Sequence, residues 1–218
     1  MSKTKKRAIA IVLAAVLLIG AVVSGTIAYL TSQSAEVTNT FTIGDINIKL
    51  TETNVAESGG TKAYSSFLPG DKLDKDPKVT VVAGSEKSYV FVKVTETNNT
   101  YSGLDGKIID WTKGDDWEEY TPASPAEGTT ILYKIVNTVP IGSPAPEYPI
   151  IKDNKVTVNT GITKAMTDAE TTGIRNKIPE LKFRAAAVQF NNIYDSEKGA
   201  ENSSENLNAA YAQVSGLL

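Results

Sequence analysis

Beyond residue 40 the chain is written in short apolar runs with a period of two, each broken within a few residues by Gly, Pro, Asn or Asp. A period of two puts alternate side chains on opposite faces of a strand, and frequent turn residues keep every run short. Such a chain reaches a core by stacking sheets. Phe41 and Ile43 alternate in one parity and Ile46, Ile48 and Leu50 in the other, so Gly44-Asp45 is expected to carry a bulge or bend. Pro69-Gly70-Asp71 is a turn signal. Val79, Val81 and Val82 lead through residues 83–88 to Tyr89, Val90, Phe91, Val92, Lys93 and Val94, a hairpin candidate whose second strand turns Val90, Val92 and Val94 toward the core.

Further strands are expected at Ile108-Ile109 with Trp111, at residues 117–120, 131–136 and 155–159, and in a long run through Leu181, Phe183, Ala185, Ala187 and Gln189. The small residues of that last run imply close packing by another layer. Pro140, Pro144, Pro146 and Pro149 exclude regular helix and central strand, so residues 139–149 form an edge or a surface excursion. Two helices are expected. Residues 167–177 open on a capping box, Thr167 with Glu170, and residues 206–218 carry Leu207, Ala210, Tyr211 and Val214 at helical spacing. Many short strands around one core point to an all-β sandwich, although the periodicity alone fits a barrel as well.

The residues that are missing narrow the chemistry. The chain has no Cys, so no disulfide framework supports it and burial must supply its stability. It has no His either, which removes the Ser-His-Asp triad, the Cys-His dyad and the HExxH zinc site. Carboxylate-only metal sites and Ser-Lys pairs remain open, but no spacing selects one, and no cofactor pattern is present.

Residues 1–28 read as an export signal. Lys3, Lys5, Lys6 and Arg7 precede a nearly uninterrupted apolar run from Ala8 to Val23, and the small residues Ser24, Gly25, Thr26 and Ala28 follow. Cleavage is expected between Ala28 and Tyr29, although the run is also long enough to span a bilayer if retained. Removal of this segment leaves 18 cations against 25 anions, a net charge of −7. Nucleic acid and anionic lipid are poor partners for such a surface, and the membrane is contacted only through the uncleaved segment. Residues 29–40 read as a flexible arm that is polar apart from Tyr29, Leu30 and Val37, and residues 41–218 as a single domain.

Several segments carry a family resemblance: SGTIAYLTSQ from Ser24, NTFTIGDINIKLTE from Asn39, LPGDKLDKDPKVTV from Leu68, SYVFVKVTE from Ser88 and RAAAVQ from Arg184. In this order they resemble the TasA/camelysin family, secreted proteins of Gram-positive bacteria processed by a dedicated, SipW-type signal peptidase. The resemblance is patchy between Asn98 and Pro179. It implies a jelly-roll or immunoglobulin-like β-sandwich with short helices in loops and at the C-terminus. It also implies a biofilm-matrix fibre protein that polymerises through its N-terminal segment. The arm offers a physical route. An extended segment without a local partner adds as a strand to the sheet edge of another subunit, with Tyr29, Leu30 and Val37 filling pockets, and head-to-tail addition propagates into a filament. The expected partners are other copies of the chain, the signal peptidase, and further matrix or surface proteins.

Other groupings invite competing readings. Asp71, Asp74 and Asp76 could hold Ca²⁺, but Lys72, Lys75 and Lys78 interleave with them and a solvated turn explains the composition. Asp105, Asp110, Asp115, Asp116, Glu118 and Glu119 form a second acidic region that reads as a soluble edge. Trp111, Trp117 and Tyr120 form either a binding platform for sugars or peptides or a small core beneath a loop. Asn98-Asn99-Thr100 and Asn202-Ser203-Ser204 are formal sequons. A secreted, non-catalytic fibre subunit is therefore expected. The alternatives are a camelysin-like metallopeptidase, which the lack of His disfavours, and a monomeric adhesin using Trp111 and Trp117. No LPxTG-type sorting signal or C-terminal anchor indicates wall attachment.

Overall fold

Strand β4 (Ser88–Thr97) lies at the centre of the fold because both of its faces are apolar. Val90, Val92 and Val94 point to one side and Tyr89 and Phe91 to the other, and all five side chains are buried. A Val of this kind contributes roughly 1.5–3 kcal/mol on leaving water, so the strand requires a layer on each face. The structure, a computed structural model, describes residues 46–53, 55, 67–168, 173–174 and 178–218. The chain divides into two units, residues 1–39 and 40–218, and every described residue belongs to the second.

Three antiparallel sheets make up this unit. The first has the order β10 (Glu180–Gln189), β4, β7 (Thr129–Val136), β6 (Glu118–Tyr120). The second has the order β1 (Ile48–Thr51), β3 (Lys78–Val81), β8 (Glu147–Pro149). These two face each other across the main core, where Ile46, Val79 and Val81 meet Val90, Val92, Val94, Leu132, Val136 and Ala187. On the outer face of the first sheet, Tyr89, Phe91, Ile131, Tyr133, Ala186 and Val188 pack against Leu207, Ala210 and Val214 of the C-terminal helix Ser204–Val214. The expected all-β sandwich is therefore the observed fold, with a helix over one face.

The third sheet, β2 (Lys72–Asp74), β9 (Lys155–Val158), β5 (Ile109–Asp110), continues the second past a break. β2 pairs with β9 as β3 pairs with β8, so two long segments form one ribbon that leaves one sheet and enters the next. At the break Lys75 N–H donates to the Asn154 carbonyl at 2.9 Å and Ile150 N–H to that of Pro77 at 2.9 Å. Asp153 and Asn154 adopt φ of 55° and 54°, and Pro77 has no N–H with which to continue the ladder. Ile108, Ile109, Val158, Ile162 and Ile174 form a separate small core here.

Four sequence expectations require correction. β3 and β4 do not form a hairpin. The short connection between them crosses from one sheet to the other, which sets Val79 and Val81 against Val90, Val92 and Val94 across the main core. The C-terminal helix runs over Ser204–Val214 instead of 206–218, because Ser203 caps it, its Oγ accepting from Asn206 N–H at 3.3 Å. Asn206 is buried inside the first turn, where its amide donates to the carbonyls of Asp195 and Ala200. The preceding helix starts at Lys164, with Met166 N–H donating to Thr163 Oγ1 at 3.4 Å, so Thr163 takes the capping role expected of Thr167. Trp111 lies outside β5, which holds Ile109–Asp110. Most of residues 167–177, and the bend expected at Gly44-Asp45, lie outside the described residues.

Candidate functional site: an open sandwich edge

The sheet edges are treated unequally. β8 has Pro149 within it and is crossed by residues 112–117: Gly114 N–H donates to the Ile150 carbonyl at 2.7 Å, Lys152 N–H to that of Thr112 at 2.9 Å, and Trp117 Nε1 to that of Pro149 at 2.9 Å. Gly is required at 114, since a Cβ there would stand 2.2 Å from the Pro149 carbonyl oxygen. β6 is short and presents Glu118 and Glu119. These are ordinary ways of closing an edge.

β10 differs. It is ten residues long and, among the described residues, pairs only with β4. Two hydrogen bonds fix which backbone groups it leaves open. Phe190 N–H donates to the Lys87 carbonyl at 2.8 Å, and Glu96 N–H to the Gly128 carbonyl at 2.7 Å. Odd-numbered residues of β4 therefore bond β10 and even-numbered ones bond β7. By the same alternation Leu181, Phe183, Ala185 and Ala187 turn N–H and C=O away from β4, toward the open edge. Along this side the main core is incompletely covered: Ile48 and Leu50 of β1 and Phe183 and Ala185 of β10 are only half-buried. The outer half of the edge carries charge, Lys182 lying 2.8 Å from Glu180 and holding its carboxyl below the usual range by a hydrogen bond and by its charge. At one end Lys75 and Glu52, both nearly buried, pair at 2.8 Å, with the ammonium 5.3 Å from the centre of the Phe183 ring.

The other sequence-selected residues are dispersed. Ala28, Tyr29, Leu30 and Val37 lie outside the described residues. Asp71 accepts from Leu68 N–H at 2.7 Å, Asp74 pairs with Lys155, and Asp76 accepts from Thr53 Oγ1 at 2.5 Å, so each carboxylate serves a separate contact. Among the described residues no three acidic side chains converge as metal ligands. In the second acidic region Asp115 pairs with Lys152, Asp116 with Lys134, and Glu118 accepts from the Tyr133 hydroxyl. Trp111, Trp117 and Tyr120 make no platform. Trp117 is buried in the main core, Trp111 flanks that core, and Tyr120 packs on Phe91 and Tyr211 across the opposite face of the sheet. The three side chains pack into the fold, but the small shared core expected beneath a loop does not form, because the pairing of β6 with β7 sends Trp117 and Tyr120 to opposite faces of the sheet.

Sequence reasoning missed one polar cluster. Glu96, on β4, has a side chain only 8% exposed and accepts from Lys107 Nζ at 2.8 Å, Asn99 Nδ2 at 2.6 Å and Trp111 Nε1 at 2.9 Å. Burial pushes its carboxyl up, but these three hydrogen bonds and the Lys107 charge outweigh burial and hold it below the usual range. Asn99, also buried, exchanges hydrogen bonds with both backbone groups of Ile109 at 2.8 Å and so stands in for a strand partner at the head of β5. The only sequence signal was the Asn98-Asn99-Thr100 triplet, which gives no indication of burial.

No family model, curated protein or solved structure matches the chain.

Proposed function

We propose that this chain is a secreted structural protein whose sandwich domain assembles into extracellular fibres, residues 29–40 of one copy adding as a strand to an open sheet edge of the next. The observation that carries this reading is the edge of β10: a long row of outward backbone groups beside half-buried Ile48, Leu50, Phe183 and Ala185. A row of that kind is a template for an added strand, and apolar residues of the strand would complete the cover of the core. The arm supplies Tyr29, Leu30 and Val37 for this purpose. Addition in this manner is head-to-tail and does not close on itself, so it propagates. Cleavage after Ala28 gates the process, because a precursor held in the membrane has its arm occupied. The location is the matrix or surface of a Gram-positive cell, as the resemblance to TasA/camelysin proteins implies.

The test is electron microscopy of the chain beginning at Tyr29 beside one beginning at Phe41, at matched concentration. Filaments that require residues 29–40 are the expected result. Monomers in both samples would overturn the proposal.

A further inference from the structure

The cluster around Glu96 places a primary amine, a carboxamide and a carboxylate within one set of hydrogen bonds. Lys107 Nζ lies 2.8 Å from Glu96 Oε1, and Asn99 Nδ2 lies 2.6 Å from Glu96 Oε2. The two reacting groups therefore hang on the two oxygens of a single carboxylate. They are also held in register by the backbone, since Thr100, next to Asn99, bridges to Lys107. Asn99 is fixed on its far side: its Oδ1 accepts from Ile109 N–H at 2.8 Å, and its Nδ2 donates to the Ile109 carbonyl at 2.8 Å. Trp111 Nε1, 2.9 Å from Glu96 Oε1, orients the carboxylate. A structural ion pair needs none of this convergence on the amide.

We propose that Lys107 and Asn99 become joined by an intramolecular isopeptide bond, with Glu96 as the general base and acid of the reaction. Glu96 takes a proton from the Lys107 ammonium, and the freed amine attacks Asn99 Cγ, forming the new C–N bond. The carbonyl electron pair moves onto Oδ1, where the Ile109 N–H already points and stabilises the oxyanion. Glu96 returns its proton to Nδ2, and the Cγ–Nδ2 bond breaks. Loss of the remaining proton from the attacking nitrogen to Glu96 leaves a neutral secondary amide, and the released ammonia carries that proton away as ammonium. The reactants are one lysine ammonium and one carboxamide, and the products are one amide and one ammonium ion. No oxidant or other co-reactant enters.

Proximity supplies most of what such a step requires, since both partners are held before reaction. Glu96 is nearly buried, which strengthens its interaction with the developing charges, and it is held ionised and so available as a base. The bond would close residues 99–107 and tie the end of β4 to the head of β5. In a chain with no Cys it would do the work of a disulfide, and no redox condition would reverse it.

The test is the intact mass of the full chain after incubation at mildly alkaline pH, followed by tryptic mapping. The expected result is a mass lower by one ammonia. Trypsin should also fail to cut after Lys107, giving a looped peptide spanning residues 94–113. Glu96→Gln and Lys107→Arg are expected to keep the full mass and, for Glu96→Gln, normal cleavage at Lys107. An unreacted wild-type chain that is cut after Lys107 overturns the proposal, whatever the variants do. So does ammonia loss that persists in Lys107→Arg, which would mark cyclisation of Asn99 onto its own backbone.

Discussion

Proline at position 185 separates the role of the β10 edge in assembly from its role in the fold. The register with β4 and the Phe190–Lys87 hydrogen bond place the Ala185 N–H on the outward side, so Ala185→Pro leaves the β10–β4 ladder intact. Proline is tolerated on an edge strand in this orientation, and the expected cost to the domain is about 1 kcal/mol. For an incoming strand the change is more severe. One donor is lost, its acceptor is left unpaired in a partly dry interface, and the ring occupies the approach path. A stranded acceptor costs about 1–3 kcal/mol. That range corresponds to roughly a 5- to 150-fold rise in the concentration at which filaments form. Ala186→Pro is the control: Ala186 is buried and bonds Phe91 of β4, so the same residue one position along should cost about 3 kcal/mol or more in folding. Urea titration measures the folding terms, and sedimentation with microscopy measures the critical concentration. If Ala185→Pro is folded and forms filaments at the wild-type concentration, β10 is not the receiving edge and the argument from its open backbone groups fails.

Two other perturbations test the frame around that edge. Gly114→Ala sets a Cβ against the Pro149 carbonyl, displaces residues 112–117 from β8, and should lower stability by about 2–4 kcal/mol, read by urea titration with Trp117 fluorescence reporting the opened contact. Alkaline titration gives a second check. The Tyr89 hydroxyl is pushed up to about 12 by burial, assisted by Glu201 and Tyr194, and Tyr133 is raised by burial and by its hydrogen bond to Glu118. The unfolded chain releases these protons near pH 10 while the folded one holds them, so stability is full below that pH and falls as the pH rises toward 12. Ultraviolet titration should show tyrosines that ionise only on unfolding; complete ionisation of a native chain near pH 10 would contradict this account.

Legibility followed the range of the interaction that decides each element. The alternation of Val90, Val92 and Val94 identified β4 and its core face, because a strand's inward side is set by its own period. The prolines of residues 139–149 identified an edge for the same local reason, and β8 is one. The hairpin expected between β3 and β4 failed because a short connection permits both edge pairing and crossing between sheets. Only the packing of the whole fold selects between them. Trp111, Trp117 and Tyr120 are near neighbours in sequence yet belong to opposite sides of one sheet, a separation created by the pairing of β6 with β7.

The sequence by itself determined the fold class, the strands with strong alternation, the lack of imidazole and thiol chemistry, and the expectation of an exported chain with a polar arm. These depend on residue type and local period. Tertiary structure alone decided which edges are closed and which, among the described residues, have no further strand beside them, and it alone brought Glu96, Asn99, Lys107 and Trp111 onto shared hydrogen bonds. An open edge is defined by the neighbour it lacks, and a buried carboxylate by the donors folded around it, so neither is a property of the residues that carry it.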